Sequence, residues 1–235
     1  MLLADTADSG NRLLAALGDK EQRRVLGSFE RVELAAHDVL YEAGTSLRDA
    51  YFPAGAFISL MTPLDTCASL EVGLVGNEGM LGVSLLLGVH VSPLNHLVQG
   101  GGTALRIGAA AFRRELERCP ALQRRLQRYA YVRMHQLAQT AACTRFHRVE
   151  ERLARWLLMT QDRARAATFY ATHETLAYML GVRRVGITKA AKSFQDQGLI
   201  RYSRGDITIL DRRGLESHSC GCYAAANDIY DRVLG

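Results

Sequence analysis

The sequence predicts an α+β protein with an N-terminal jelly roll (a double-stranded β-helix), then a long helix, then a winged helix-turn-helix. Three observations predict this order. Residues 20–110 contain many short apolar runs separated by glycines. Apolar residues at helical spacing follow Pro120. Residues 172–210 have the pattern of two short helices followed by a β-hairpin.

Composition places the chain among ordinary globular proteins. It has 235 residues, 48% apolar and 23% charged, which excludes a disordered chain, a collagen and a disulfide scaffold. The longest apolar stretch, Met80–Val91, has 12 residues, whereas a bilayer-spanning helix needs about 20. The N-terminus lacks a basic region and turns acidic at Asp5. We therefore predict a cytoplasmic protein with no signal peptide and no membrane partner.

Charge is distributed unevenly along the chain. Residues 1–112 contain 7 basic and 12 acidic residues, a net −5, and residues 113–235 contain 22 basic and 12 acidic residues, a net +10. The basic half is suited to a polyanionic partner. Of the 29 basic residues, 26 are Arg, and a high arginine content can also result from genomic base composition. The positions of the arginines in the predicted elements distinguish the two explanations.

The N-terminal region favours a sandwich or jelly roll over a βαβ sheet, because its strands are short and end at glycine corners. A short amphipathic helix over Leu13–Leu26 is predicted ahead of the strands. The predicted strands are centred on Val32 and Leu34, Val39–Tyr41, Tyr51–Pro53, Ala56–Met61, Leu70–Val75, Leu97–Val98 and Ala104–Ile107.

A long helix is predicted to begin at Pro120, where the missing N–H of proline costs nothing. Its apolar stripe covers some 20 residues, about 30 Å. One small sheet cannot cover that length, so we expect a second copy of the helix to pack against it. A core helix within one protomer is the alternative. The predicted dimerisation residues are Leu122, Leu126, Ala130, Met134, Leu137 and Ala141.

Four residues have the spacing of a helix-turn-helix. Thr172 is a suitable N-cap for a short first helix, and Ala177 is small enough to let two helices cross closely. Gly181, four residues later, can adopt the left-handed backbone of the tight turn. Ile187, six residues after that, would fill the wedge between the helices. This spacing alone also occurs by chance, so the segments that follow must support it.

The second helix, predicted over Arg184–Gln197 and ended by Gly198, carries short and basic side chains of the kind that read the major groove. A hairpin predicted over Leu199–Leu210 would place Arg201 and Arg204 at its tip, near phosphates. The alternative is a helical hairpin with solvated arginines. The predicted DNA-binding residues are Arg183, Arg184, Val185, Thr188, Lys189, Lys192, Arg201 and Arg204.

Two segments, LAYMLGVRR (Leu176–Arg184) and GLIRYSRGDITILDRRGLE (Gly198–Glu216), carry a resemblance to the Crp/Fnr superfamily of bacterial transcription regulators, which extends over nearly the whole chain. The resemblance implies a cyclic-nucleotide-binding-like sensor domain over 1–118, a dimerisation helix over 119–146 and a DNA-binding domain over 147–235. It further implies a non-enzymatic homodimer that binds a pseudo-palindromic operator on double-stranded DNA and contacts RNA polymerase.

The recognition helix departs from the family pattern at one position. The family commonly has Arg-Glu and a second Arg four residues after the Glu. Arg184 and Lys189 match the two basic positions, but Val185 stands where Glu is usual. A glutamate there would accept a hydrogen bond from a cytosine amino group, so we expect a different operator.

The sensor half departs further from the family. Cyclic-nucleotide binders have Gly-Glu followed by Arg-Ser or Arg-Thr, where this chain has Gly82-Val83 and then Ser92–His96. No Lys or Arg lies between Asp49 and Leu105, and a buried phosphate without a cationic partner is costly. We therefore do not expect cAMP in the usual pose, and the effector is unknown.

Cysteine usage predicts reduced thiols and no metal. No Cys precedes Cys67, unlike the iron–sulfur branch of the family. Cys220-Gly221-Cys222 has His218 nearby but lacks a convincing second ligand pair. The five cysteines are Cys67, Cys119, Cys143, Cys220 and Cys222.

A second class of function stays open. His90 and His96 could ligate haem, as a histidine does in one branch of the family, although a histidine on a strand is more often structural. The alternative function is therefore a small-molecule or redox receptor, using haem or thiols, whose winged helix contacts proteins. No cofactor is predicted.

Overall fold

A computed structural model describes residues 9–64, 69–164 and 166–235. Cys67 and the N-terminal segment used for the signal-peptide prediction lie outside these residues. The chain divides into two compact units. The first contains the residues up to Leu60 with Val75–Arg133, and the second contains Met61–Leu74 with Met134–Val233. The domain boundaries after residues 118 and 146 stay predictions.

The N-terminal strands form two sheets, as a jelly roll requires. The strands are β1 (Glu30–Leu34), β2 (Val39–Tyr41), β3 (Asp49–Pro53), β4 (Phe57–Pro63), β5 (Ser69–Val75), β6 (Asn95–Gly100) and β7 (Gly102–Gly108). One sheet has the order β1–β7–β3 and the other β2–β6–β4–β5. Strand β7 pairs antiparallel with β1 and with β3, and β2 pairs antiparallel with β6.

Both sheets contribute to one apolar core. Leu34, Tyr51 and Ala104 come from the first sheet, and Ile58 and Val98 come from the second. All five side chains are buried, so the two sheets face each other across this core. The prediction of an N-terminal jelly roll is confirmed.

The helix predicted over Leu13–Leu26 is wrong as a single element. The structure has α1 (Arg12–Ala15) and α2 (Asp19–Leu26) instead. Gly18 separates them, because it takes an extended backbone (φ −63°, ψ 149°) as the N-cap of α2. Two helices that the pattern did not predict, α3 (Val83–Leu86) and α4 (Ala109–Arg118), come later.

The long helix α5 (Pro120–Phe146) begins at the predicted proline and has 27 residues, about 40 Å at 1.5 Å per residue. Its stripe divides into two halves. Leu122 and Leu126 are both 0% exposed, so their assignment to a dimer interface is wrong. These two side chains belong to the core of the protomer itself, because periodicity identifies an apolar face but not what covers it.

The second half of the stripe has the opposite character. Met134 is 69% and Leu137 39% exposed, Ala141 is exposed, and Ala130 is half-buried. Tyr131, at 56% exposed, lies three residues before Met134 on the same face. This half of α5 therefore presents an uncovered apolar surface.

The C-terminal part contains a helix-turn-helix and a three-stranded sheet in the order β8–β10–β9. Its elements are α6 (Val149–Ala164), β8 (Thr168–Tyr170), α7 (His173–Leu180), α8 (Arg184–Asp196), β9 (Ile200–Ser203), β10 (Asp206–Ile209), α9 (Arg212–His218) and α10 (Cys222–Leu234). Sequence analysis missed β8, whose Phe169 is buried with its ring 6.1 Å from that of Trp156. None of the helices among the described residues is both long and apolar enough to span a bilayer.

Candidate nucleic-acid interface

The turn between α7 and α8 is fixed by local residues. The Thr172 side chain accepts a hydrogen bond from the N–H of Thr175 at 3.0 Å and so caps α7. Gly181 ends that helix in the left-handed region (φ 60°, ψ 44°), where a residue with a Cβ would be strained. Ala177 and Ile187 are buried between the helices. All four residues lie where the spacing placed them.

Helix α8 has one buried face and one basic face. Ile187, Ala190, Ala191 and Phe194 point into the core. The opposite face carries exposed residues at positions i, i+1, i+4, i+5 and i+8, which line one side of a helix. These are Arg184, Val185, Thr188, Lys189 and Lys192, with Arg183 at the N-cap.

The basic side chains on α8 form no ion pairs with the part of the chain that the structure describes. The first turn of α8 has no acidic residue, and among the described residues no salt bridge involves Arg183, Arg184, Lys189 or Lys192. The N-terminus of a helix adds partial positive charge at the same end. The surface therefore attracts anions at the end of α8 where Arg184 lies.

His173 joins three elements of this surface. Its Nδ1 lies 3.1 Å from Oγ1 of Thr188 in α8, and its ring stacks on that of Tyr202 in β9 at 4.4 Å and 19°. Partial burial, together with the nearby charge of Arg184, lowers the pKa of His173. Sequence analysis missed this residue, since nothing in the linear pattern brings positions 173, 188 and 202 together.

The wing is a tight hairpin between β9 and β10. Its two turn residues, Arg204 and Gly205, both have positive φ (53° and 98°), as a type I′ turn requires. A Cβ on Gly205 would meet the ring of Tyr170 and would be strained at this positive φ, so the position favours glycine. Arg204 is exposed at the tip. Arg201 is not at the tip as predicted, because it pairs with Thr208 near the other end of the strands.

Comparison with known proteins identifies this arrangement. Residues 151–218 match the Crp-like helix-turn-helix domain family. The fold of the chain is also that of solved structures of transcriptional regulators of the Crp/Fnr family. No curated protein matches its sequence significantly.

Other solved structures have the same fold at low sequence identity. FixK2 from Bradyrhizobium japonicum is 12% identical with a TM-score of 0.69, over 82% of this chain and 98% of its own. The c-di-GMP responsive global regulator CLP from Xanthomonas campestris is 15% identical with a TM-score of 0.67, over 82% and 99%. A CRP/FNR-family transcriptional regulator from Thermus thermophilus is 22% identical with a TM-score of 0.66, over 81% and 98%.

The two histidines considered for haem lie in different settings. His96 is buried, with Nε2 3.2 Å from the hydroxyl of Ser92 and its ring edge-on to Tyr41. Burial lowers the pKa of His96 to about 4. His90 is exposed, and its Nε2 lies 2.9 Å from a guanidinium nitrogen of Arg113.

The structure also supplies the ligand pair that the sequence did not reveal beside Cys220 and Cys222. Cys143 and His147, at the end of α5, bring their ligand atoms within 4.8 Å of those of Cys220 and Cys222. The hydrogen bond with Cys220 lowers the pKa of Cys143 to about 4, helped by His147 and Arg155 and opposed by burial. His218 lies apart, with Nδ1 2.9 Å from the carbonyl of Gly214.

Proposed function

We propose that this chain is a cytoplasmic, sequence-specific transcription regulator of the Crp/Fnr type that binds a pseudo-palindromic operator on double-stranded DNA as a homodimer. The observation that carries the proposal is the exposed basic face of α8, which no carboxylate among the described residues neutralises. A helix of this kind inserts into the major groove with its N-terminal residues against base edges. The protein would regulate transcription by contacting RNA polymerase, and it would have no enzymatic activity of its own.

Three side chains on α8 are placed to read bases. Arg184 and Lys189 can each donate to O6 and N7 of guanine. Val185 is 58% exposed and offers an apolar contact to the methyl group of thymine. Thr188 offers its own methyl group in the same way, because its hydroxyl already bonds within the protein.

The remaining basic residues are suited to the phosphate backbone. Arg183 stands at the N-cap of α8 and Lys192 lies two turns into the helix. Arg204 extends from the wing tip, and Arg201 is exposed on β9. Contacts of this kind set orientation and affinity but carry no sequence information.

The uncovered half of α5 supports the homodimer. Tyr131, Met134, Leu137 and Ala141 recur at helical spacing and are exposed in the protomer. A parallel copy of α5 would bury this face and relate two recognition helices by a two-fold axis. The operator would then contain two half-sites about one helical turn apart.

The jelly roll carries no Lys or Arg between Asp49 and Leu105. We propose that it does not bind cAMP in the pose usual for the superfamily. The effector, if the protein uses one, is of another chemical class.

Selection of binding sites from random duplex DNA by the purified, ligand-free protein tests the proposal. We expect an enriched inverted repeat, whose affinity falls by orders of magnitude between 50 and 200 mM salt. Weak binding without enrichment, in a protein shown to be folded, would contradict DNA reading by the ligand-free dimer. It would favour the receptor alternative, in which the winged helix contacts protein.

A further inference from the structure

Four potential metal ligands converge at one place in the second unit. Cys143 lies in the last turn of α5 and His147 directly follows the helix, where its N–H still donates to the carbonyl of Cys143 at 3.1 Å. Cys220 and Cys222 flank Gly221, the N-cap of α10. The four ligand atoms all lie within 4.8 Å of one another, and the three cysteines are buried.

From this convergence we propose that the chain binds one Zn²⁺ through Cys143, His147, Cys220 and Cys222, as a structural site that fastens α10 to the end of α5. Nothing in the proposed DNA-binding function requires this site. It would act on the integrity of the fold around the C-terminus.

The distances are close to those of a tetrahedral zinc site. With Zn–S near 2.3 Å and Zn–N near 2.0 Å, tetrahedral geometry places two sulfurs about 3.8 Å apart and a sulfur and a nitrogen about 3.5 Å apart. The Sγ atoms of Cys143 and Cys220 are 3.5 Å apart, and Cys222 Sγ is 3.5 Å from Nδ1 of His147. Small side-chain shifts would complete the coordination.

The donor set selects the type of metal. Three thiolates and one imidazole form a Cys₃His set, which is soft and tetrahedral and suits zinc, whereas magnesium and calcium require oxygen ligands. All four positions are filled by protein, which is typical of structural rather than catalytic zinc sites. Gln139 Nε2, 3.0 Å from Cys222 Sγ, provides an outer hydrogen bond of the kind that orients metal-bound thiolates.

Two buried arginines beside the cluster supply a second, independent observation. Arg152 and Arg155 are buried, and neither forms an ion pair with a carboxylate among the described residues. Arg152 donates to the carbonyl of Leu180, and Arg155 donates to the hydroxyl of Thr140 at 3.1 Å. Because a buried guanidinium without an anionic partner is costly, these two groups favour anionic sulfur ligands beside them. Zinc with three thiolates carries a net −1 and would partly balance these guanidinium groups.

The cluster is also separate from the apolar core. The three cysteines form a buried group of their own, whereas the core of the winged helix is built from Leu153, Phe194, Leu215 and their neighbours. Helix α10 also contacts α5 away from the cluster, for example where Gln136 Nε2 donates to the carbonyl of Ala226 at 3.4 Å. A zinc ion that joins Cys143 to Cys220, which are 77 positions apart in the sequence, would add its binding free energy to the folding free energy.

The experiment measures zinc in the full-length protein purified under reducing conditions without added chelator. We expect one zinc per chain by elemental analysis. The metal-free protein should take up one equivalent of Zn²⁺ with a rise in unfolding temperature, and Co²⁺ should give the absorption bands of a tetrahedral thiolate site. Cys222→Ser should weaken zinc binding by more than the about 10–100-fold typical of losing an outer-shell partner. His218→Gln, which alters the nearby histidine outside the cluster, should bind like the wild type.

Three results would overturn the proposal. The first is that folded wild-type protein contains less than about a tenth of an equivalent of zinc per chain and takes up no Zn²⁺ on titration. The second is equal zinc affinity in the wild type and Cys222→Ser. The third is a disulfide between Cys143 and Cys220 in protein isolated from cells, detected by non-reducing mass spectrometry. None of these results depends on whether the protein binds DNA.

Discussion

The hydroxyl of Thr188 lies 3.1 Å from Nδ1 of His173 and also donates to the carbonyl of Arg184 at 3.1 Å. Thr188 is exposed on the recognition helix, yet its polar atom is already engaged within the protein. The ring of His173 in turn stacks on Tyr202 of the wing. The methyl group of Thr188 is therefore the part of this side chain that remains available to a base.

Two substitutions of Thr188 distinguish the contribution of its methyl group to base recognition from that of its hydroxyl group. Thr188→Val keeps the methyl and should retain base preference, although it removes the contact with His173. Thr188→Ser keeps the hydroxyl and should lose about 1 kcal/mol of discrimination at a thymine. Site selection with both variants checks this, and a reversed order of effects would show that the hydroxyl reads the base.

Alanine substitutions of Arg184 and Arg204 should change DNA binding in two different ways. Arg184→Ala removes a base contact and should cost about 1–3 kcal/mol while relaxing preference at one position. Arg204→Ala removes a phosphate contact, so it should weaken binding to all DNA sequences alike. It should also reduce the slope of log affinity against log salt concentration by about 1. Fluorescence anisotropy on matched and scrambled operators measures both effects, with Arg213→Ala, exposed on α9, as the control. Identical behaviour of the two variants on both operators would mean that the roles are wrongly assigned.

Val185→Glu tests how the operator departs from the family pattern. A glutamate at this exposed position would accept a hydrogen bond from the N4 amino group of cytosine, and the apolar contact to thymine would be lost. We expect selected sites to change from thymine to cytosine at one position of each half-site. Val185→Ile, which keeps the apolar contact, is the control; an unchanged base preference in Val185→Glu would place this residue away from the bases.

The two halves of α5 should respond differently to mutation. Met134→Glu places a charge on the exposed half and should dissociate the dimer while leaving the protomer folded. Leu126→Ala opens a cavity in the protomer and should reduce its stability by about 2–5 kcal/mol. Sedimentation velocity and urea unfolding distinguish these outcomes, and Gln123→Glu on the first half should change neither. A Met134→Glu protein that stays dimeric would exclude this face as the interface.

His96 should make the stability of the jelly roll depend on pH. Its pKa is lowered to about 4 by burial, whereas the unfolded value is about 6.5. As the pH falls below about 6.5 the unfolded chain takes up the proton first, so stability is lost until the pH nears 4. The loss should approach about 3 kcal/mol. Urea unfolding at several pH values should show a smaller loss in His96→Gln, whereas the exposed control His90→Gln should resemble the wild type.

The helix-turn-helix could be predicted because its determinants are local. The cap at Thr172 and the left-handed turn at Gly181 act within a few residues of the chain, so spacing alone places them. The hairpin turn at Arg204-Gly205 is local in the same way. Arg201 was misplaced because its position depends on the strand register with Thr208, which the turn residues do not display in the sequence.

The features that sequence analysis missed depend on distant partners. Periodicity places Leu122, Leu126 and Met134 on one stripe, but only the folded chain shows that the first two are covered. Likewise Cys143 and Cys220 are 77 positions apart, and no local pattern connects them. Strand β8 has only three residues and no glycine turn marks its end, unlike the equally short β2, which is closely followed by Gly44.

The conformation of Arg204 has a consequence for how this domain evolves. Its φ of 53° is a backbone geometry that glycine or asparagine adopts with little strain, whereas arginine loses on the order of 1 kcal/mol. A sequence optimised for stability alone would not keep a long charged side chain there. Arg204 therefore lowers the folding stability of the hairpin, and its retention is explained by a role in DNA binding. In copies of the domain that no longer bind DNA, glycine or asparagine should replace it.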